Sequence, residues 1–360
     1  MLKTIVYREQ NQEDLKKQQD QTCIRKFGNN LTNKIDGFPF FHPRKNGSNK
    51  ENSSFLSNSC SVFNMPTKPK IQINSFSIKN LSSLTYIFPK SISNDNLYSD
   101  NPQYVHEYID EIFSDMLSNL NINKPKSNGF SSTQKDISFK HRNMVIDWLL
   151  EVHFRFKLNE ETLYLCVNLI DRYLSIVPVK TSELQLVGIT CLLIATKFEE
   201  IYPPEIRDLE YITDGSCKYQ DIINKEREIL SVLNFDILTV YSYTLLKRIH
   251  FISTTPIKVF HLALYVLECS FFDENSFEFD DFIKALGALY LSKAILLGKF
   301  KFPSVLTNLI TNNKRMIKSF IKSIVKLIPS LQGKKLSSVQ KKFKTEQYNH
   351  VGNGYFYEKE

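Results

Sequence analysis

Three observations predict an all-α protein of two tandem five-helix folds, preceded by an N-terminal helix and a disordered tail. The first is the run Leu184 to Thr196, thirteen residues with no formal charge and apolar groups on every side of a helical wheel, which has no face to turn to water and must be enclosed. It is too short for a bilayer, which needs about 20 residues, and suits a buried core helix. The second is a close succession of helical periodicities from Phe139 to Phe235 with no strand alternation between them. The third is a second set of similar size from Val240 to Tyr348, which implies a structural repeat although the two sets share no convincing identity.

Residues 1–100 lack sustained periodicity, and Ser and Asn fill 22 of the 55 positions from Asn46 to Asp100; such a composition predicts a disordered regulatory tail. Asn101 is placed to cap a one-sided helix reaching Leu120, with Pro102 at its first turn where the missing N–H costs nothing. Lys124 to Asp136 is polar, contains Gly129, and reads as a linker. Five helices follow: Lys140 to Phe156; Glu160 to Ile176, capped by Asn159 with two glutamates in its first turn; the uncharged rod, capped by Ser182; Pro204 to Ile212; and Tyr219 to Leu233. The rod ends on Lys197-Phe198-Glu199-Glu200 and is stopped by Pro203-Pro204. A buried rod with a charged, rigidly terminated tip is suited to presenting that tip.

The second set spans Val240 to His250, Pro256 to Phe271, Phe279 to Leu297, Phe302 to Leu327 and Leu336 to Tyr348, its glutamates and lysines reading mostly as solvated faces. The resulting organisation is 1–100 tail, 101–237 N-terminal helix and first fold, 238–352 second fold, and 353–360 C-terminal tail.

Composition narrows the function classes. At 360 residues and 42% hydrophobic content the chain can build about two cores. There is no transmembrane run, so no membrane partner is expected, and the opening residues lack the apolar region of a secretory signal. Six scattered cysteines without a C-x-x-C favour reduced thiols in the nucleus or cytoplasm. The net charge of +8 divides unevenly: +14 and −8 over 1–100, +20 and −27 over 101–300, +12 and −3 over 301–360. Basic ends of this kind are usually solvated, and nucleic acid is not the expected partner.

The chain carries no G-x-G-x-x-G, no G-x-x-x-x-G-K-[ST], no H-E-x-x-H and no G-x-S-x-G, and its seven histidines stand apart. No catalytic residues, cofactor or metal are therefore expected, and a binding module is the default.

Several segments carry a resemblance. HRNMVIDWLLEV (His141 to Val152), LYLCVNLIDRYLS (Leu163 to Ser175), LQLVGITCLLIATKFEEIYPPE (Leu184 to Glu205), YITDG (Tyr211 to Gly215) and EREILSVLNFDI (Glu226 to Ile237) together resemble the cyclin box of an A- or B-type mitotic cyclin. PQYVHEYIDEIF is similar to the helix preceding that box, and SSVQKKFKTEQYNHV (Ser337 to Val351) to the last helix of the second cyclin fold. The resemblance implies two tandem five-helix folds and no catalysis of its own. It implies a regulatory subunit that binds a cyclin-dependent protein kinase one to one and activates it in the G2/M part of the cell cycle. A partner that binds only the inward position of the kinase's mobile helix, whose glutamate completes a Lys–Glu ion pair, shifts the kinase toward its active state.

By this resemblance Lys197 and Glu226 grip the backbone at the start of the kinase helix, and Ile194, Phe198, Leu230 and Phe235 form the apolar seat; a surface ion pair is the plain alternative. Arg142 and Asp171 match a structural pair, and Leu186 a core position. Met144, Val145, Trp148 and Glu151, joined by Leu184 and Gln185, match a shallow groove for Arg-x-Leu substrates or inhibitors, with apolar groups for the leucine and Glu151 for the arginine. His141 departs from the family's methionine at the start of that run, and the alternative places Met144 and Val145 in the core. In the tail, Lys50-Glu51-Asn52 has the form of a KEN box, a signal that delivers mitotic regulators to a ubiquitin ligase. No Arg-x-x-Leu accompanies it, since Asn11, Gly28 and Gly47 follow Arg8, Arg25 and Arg44 at that spacing. A DNA-binding transcription factor on the same tandem fold is the other reading; it usually carries a zinc ribbon, and no C-x-x-C exists here.

Overall fold

The computed structural model describes residues 106–126, 128–298, 302–332 and 337–354. The tail with Lys50, Glu51 and Asn52, the Asn101-Pro102 helix start, and residues 355–360 lie outside the described residues. Among the described residues every regular element is helical: α1 Ile109–Ser118, α2 Gly129–Thr133, α3 Phe139–Phe156, α4 Glu160–Leu174, α5 Leu184–Glu199, α6 Ile206–Ile212, α7 Tyr219–Val232, α8 Ser242–Ser253, α9 Ile257–Ser270, α10 Asp281–Leu297, α11 Ser304–Asn312, α12 Lys314–Gln332 and α13 Ser338–Phe343. Helices α3, α4, α6 and α7 pack on α5, and α8, α9 and α12 pack on α10, with α11 joined to α12.

The two central helices solve the same packing problem alike. Val187 to Thr196 of α5 are all buried, as are Phe282, Ile283 and Ala285 to Leu289 of α10. Each carries one glycine where a neighbouring helix presses closest. A Cβ on Gly188 would stand 2.6 Å from Cγ1 of Val145 in α3, and one on Gly287 2.5 Å from Phe320 in α12.

Helix α1 is one-sided, burying Phe113 and Leu117. It leans on the second fold: Phe113 meets Phe282 edge-on at 6.5 Å, and Asp110 lies 3.4 Å from Arg248 of α8. The stretch expected to be a linker contains α2 and is tied down by Gln134. This buried amide donates to the carbonyl of Val177 at 2.6 Å and accepts from the Val179 amide at 3.0 Å, closing the end of α4.

Two expected caps are replaced. Thr181 to Glu183 form a 3₁₀ turn and Glu183, not Ser182, precedes α5, without a side-chain cap. Asn159 does precede α4, with Glu160 and Glu161 in the first turn, but its amide is drawn away to Glu200. The single helix expected from Phe302 to Leu327 is two, because Asn313 closes α11 with backbone and side-chain donors to Leu309 and then starts α12.

The reading of charges in the second fold as solvated faces fails at its core. Lys342 of α13 is 2% exposed, and its Nζ donates to Glu268 of α9 at 2.6 Å and to Glu160 of α4 at 2.8 Å. Tyr348 donates to the other Glu160 oxygen at 2.7 Å. This clasp joins the two folds, because an ammonium taken out of water must find carboxylates wherever they stand. Burial pushes the Glu268 carboxyl up, opposed by Lys342; burial also acts to raise the Glu160 carboxyl, but Lys342, His153 and the Tyr348 hydroxyl together outweigh it and hold that carboxyl down.

Candidate docking face

The tip of α5 exposes what its shaft hides. Lys197 and Phe198 are exposed where the preceding ten residues are buried, and Lys197 Nζ donates to Oε1 of Glu226 in α7 at 2.6 Å. Beyond the tip Ile201 and Tyr202 stand 86% and 90% exposed, large apolar groups with no cover among the described residues. Ile194, one turn before the tip on α5, is buried, and Leu230 of α7 is half-buried.

Phe235 completes this face in an uncommon conformation. Asn234 and Phe235 both lie in the left-handed region, at φ 53° and 57°, and the Phe235 amide bonds back to Leu230 at 2.9 Å. An aromatic residue at positive φ is costly, and here it holds a 69% exposed ring outward. The turn is pinned from behind, since Asn123 donates to Asp236 at 2.8 Å and to the carbonyl of Leu238 at 2.7 Å.

The two glutamates of the tip turn inward. Glu200 accepts from the Asn159 amide N–H and side chain, each at 2.7 Å, and from Thr162 at 2.5 Å, fastening the tip to α4. Glu199 accepts from the Tyr241 hydroxyl at 2.6 Å; burial raises its carboxyl above the ordinary range. Lys197 and Glu226 thus offer a donor and an acceptor, and Phe198, Ile201, Tyr202 and Phe235 exposed apolar groups, a combination that fits a backbone segment displaying free carbonyl and N–H groups.

Family comparison identifies the fold. The profile described as "Cyclin, N-terminal domain" matches residues 111–238, and "Cyclin, C-terminal domain" matches 238–353. The chain belongs to the cyclin family. It is 36% identical over 207 residues to Cyclin-B1-3 of Arabidopsis thaliana, covering 58% of this chain and 50% of that protein. It is 34% identical over 242 residues to Cyclin-A3-2 of the same organism, covering 64% and 65%. It is also similar to a viral cyclin from herpesvirus saimiri, at TM-score 0.46 and 20% identity over 53% of this chain and 88% of that one. The chain spans about half to two thirds of the length of the curated cyclins it matches.

In this cyclin Arg142 and Asp171 form a buried bidentate pair at 2.6 and 2.7 Å. The pair joins α3 to α4, the first two helices of the first fold, and Arg142 also donates to the Phe271 carbonyl at 2.6 Å and lies over the rings of Phe139 and Phe277, so its guanidinium reaches the second fold as well. Leu186 is half-buried, not a core residue.

The residues matched to the groove divide. Val145, Trp148 and Leu184 are buried, whereas Met144, Glu151 and Gln185 are half-exposed. Glu151 has Arg155 at 3.9 Å, and Gln185 accepts from Ser216 at 3.1 Å. His141 does not line a groove floor, because its Nδ1 pairs with the Ser138 amide at 3.1 Å and caps α3.

Sequence reasoning missed Glu199, Glu200, Tyr241 and Asn123 as supports of the face. The only signal was the density of charge at Lys197 to Glu200 and the short polar gap before Val240.

Proposed function

We propose that this cyclin is a non-catalytic regulatory subunit that binds a cyclin-dependent Ser/Thr kinase one to one through the α5 tip and raises its activity on Ser/Thr-Pro substrates in the G2/M part of the cell cycle. The observation that carries the reading is the Lys197–Glu226 pair between the α5 tip and α7, together with the exposure of Phe198, Ile201, Tyr202 and Phe235. Apolar area supplies the affinity while donor and acceptor fix the register. An exposed ion pair contributes at most about 1 kcal/mol to stability, so its removal tests docking and not folding. Lys197→Ala with Glu226→Ala is expected to abolish activation of a purified cyclin-dependent kinase while circular dichroism and thermal midpoint stay unchanged. A variant that activates like the parent sinks the assignment.

The half-exposed edge of Met144, Glu151 and Gln185 serves Arg-x-Leu substrates or inhibitors, the carboxylate facing the arginine. Lys50-Glu51-Asn52 acts as the signal for a ubiquitin ligase, and the protein works in nucleus and cytoplasm. Replacing the tripeptide by alanines is expected to lengthen the lifetime at mitotic exit with kinase binding intact.

A further inference from the structure

The second fold carries a charge asymmetry that kinase docking does not use. From Phe282 to Thr345 the sequence has 64 residues without one Asp or Glu, and 14 Lys or Arg. Five of these cations, Lys314, Arg315, Lys318, Lys322 and Lys326, lie on α12. At 100° per residue they fall within a sector of about 120° and run about 18 Å along the axis. All five are exposed, and none has an ion-pair partner among the described residues. The buried face of α12, made of Ile317, Phe320, Ile324 and Ile328, is on the opposite side. Asp273 reaches the helix only at Ser323, outside the cationic sector. Like charges spaced four residues apart repel, so this arrangement costs stability and is not a salt-bridged surface.

From this face we propose that α12 docks the phosphate backbone of duplex DNA without reading its sequence. Four of the five cations are lysines, point charges suited to neutralising a phosphate array, whereas phosphopeptide sites use clusters of arginine. Single-strand sites use exposed aromatic rings, and α12's one aromatic, Phe320, is buried. An anionic membrane would be held best by apolar groups inserted beside the cations, but the buried stripe of α12 faces the core, and of the exposed apolar residues Met316 and Val325 only Val325 stands among the cations. A straight row of charges on a folded helix matches a stiff, regular polyanion, which carries one charge per about 1.7 Å of axis.

The test uses the full chain alone, so its outcome is independent of kinase activation. Fluorescence anisotropy with a labelled 20-base-pair duplex between 50 and 200 mM salt is expected to give a log–log slope of about −4, from about 0.9 per phosphate neutralised. Lys318→Gln, Lys322→Gln and Lys326→Gln together should lower the slope to about −2 and weaken binding at least about 100-fold at 0.1 M salt. The same net change at the exposed lysines of the first fold, Lys135→Gln, Lys140→Gln and Lys180→Gln, should leave binding within about threefold of the parent. Equal losses in both triples would reduce the effect to net charge and overturn the site. Tighter capture by vesicles of phosphatidylserine and phosphatidylcholine, by single-stranded DNA or by a multiply phosphorylated peptide would overturn the choice of occupant, and absence of any duplex binding would overturn the proposal.

Discussion

Replacing Lys342 by methionine removes the cation of the inter-fold clasp and keeps most of its volume. The structure gives two charge-assisted bonds, 2.6 Å to Glu268 and 2.8 Å to Glu160, each contributing about 1.5–3 kcal/mol. Proton uptake limits the loss: neutralising one carboxyl at pH 7 costs about 3–4 kcal/mol, at 1.36 kcal/mol per pH unit above its ordinary pKa. The expected destabilisation is therefore about 3–5 kcal/mol, the range for breaking a buried pair from one side. Adding Glu268→Gln should return about 2 kcal/mol, because the second buried charge is then gone. The assay is urea unfolding followed by far-ultraviolet circular dichroism and by the emission of Trp148, the single tryptophan, which is buried in the first fold. The parent should show coincident transitions. In Lys342→Met the two traces should separate, the folds having lost their most deeply buried tie. The variant should also regain stability on acidification, since a carboxyl whose folded pKa is raised stabilises below its unfolded pKa and loses that contribution as pH rises through the folded value. A loss under about 1 kcal/mol, or a further loss on adding Glu268→Gln, would refute the reasoning.

Gly188→Ala places a methyl 2.6 Å from Val145 Cγ1 and should cost about 1–3 kcal/mol as overpacking; in a double-mutant cycle read by urea midpoints, Val145→Ala should couple favourably with it. Asp147 is half-buried, and burial raises its carboxyl to about 6, while its Oδ1 accepts from the Ser338 amide at the start of α13. A raised carboxyl stabilises the fold below about pH 4 and loses that contribution as pH climbs through 6. Asp147→Asn, which keeps the acceptor, should therefore raise stability by up to about 3 kcal/mol at pH 7.5 and by almost nothing at pH 4, measured by thermal midpoints across that range.

Elements whose fate is decided by apolar pattern were legible. The uncharged run of α5 and the nearly apolar middle of α10 leave no face for water, so their enclosure, and a bundle around each, follows from sequence. Decisions made by single polar groups were not legible. Lys342 sits in a run of lysines that reads as surface, and only the carboxylates of two distant helices, α4 and α9, explain its burial. Gln134 stands in a polar stretch with no periodicity, yet it plugs the end of α4. Asn313 divides α11 from α12 through bonds that compete with the helix ladder. The capping positions of Ser182 and Asn159 failed for a related reason: a local cap lost to a tertiary acceptor, Glu200, in one case and to a tighter turn in the other. At the docking face the pattern of Lys197, Phe198, Glu226 and Phe235 was legible, while the burial of Val145, Trp148 and Leu184 depends on α3 packing against α5 at Gly188.

That packing bears on how the tip works. Glu200 ties the end of α5 to α4, Glu199 ties it to Tyr241 at the entry of the second fold, and Asn123 holds the turn that carries Phe235. Each bond spends a charge or amide that could have faced a partner on fixing the neighbours of Lys197 and Phe198 instead. A face ordered before encounter saves a partner about 0.5–1.5 kcal/mol for each side chain that would otherwise be immobilised on binding. A ligand shifts a two-state partner only by its difference in affinity for the two states. A soft tip could follow both positions of a partner's helix and discriminate between them poorly; a pinned tip fits one position and loses contact with the other. Under the function proposed above, rigidity at Glu199 and Glu200 is the property by which this face would bias a partner's conformation, and it gives a reason for the charges nearest the apolar surface to point away from it.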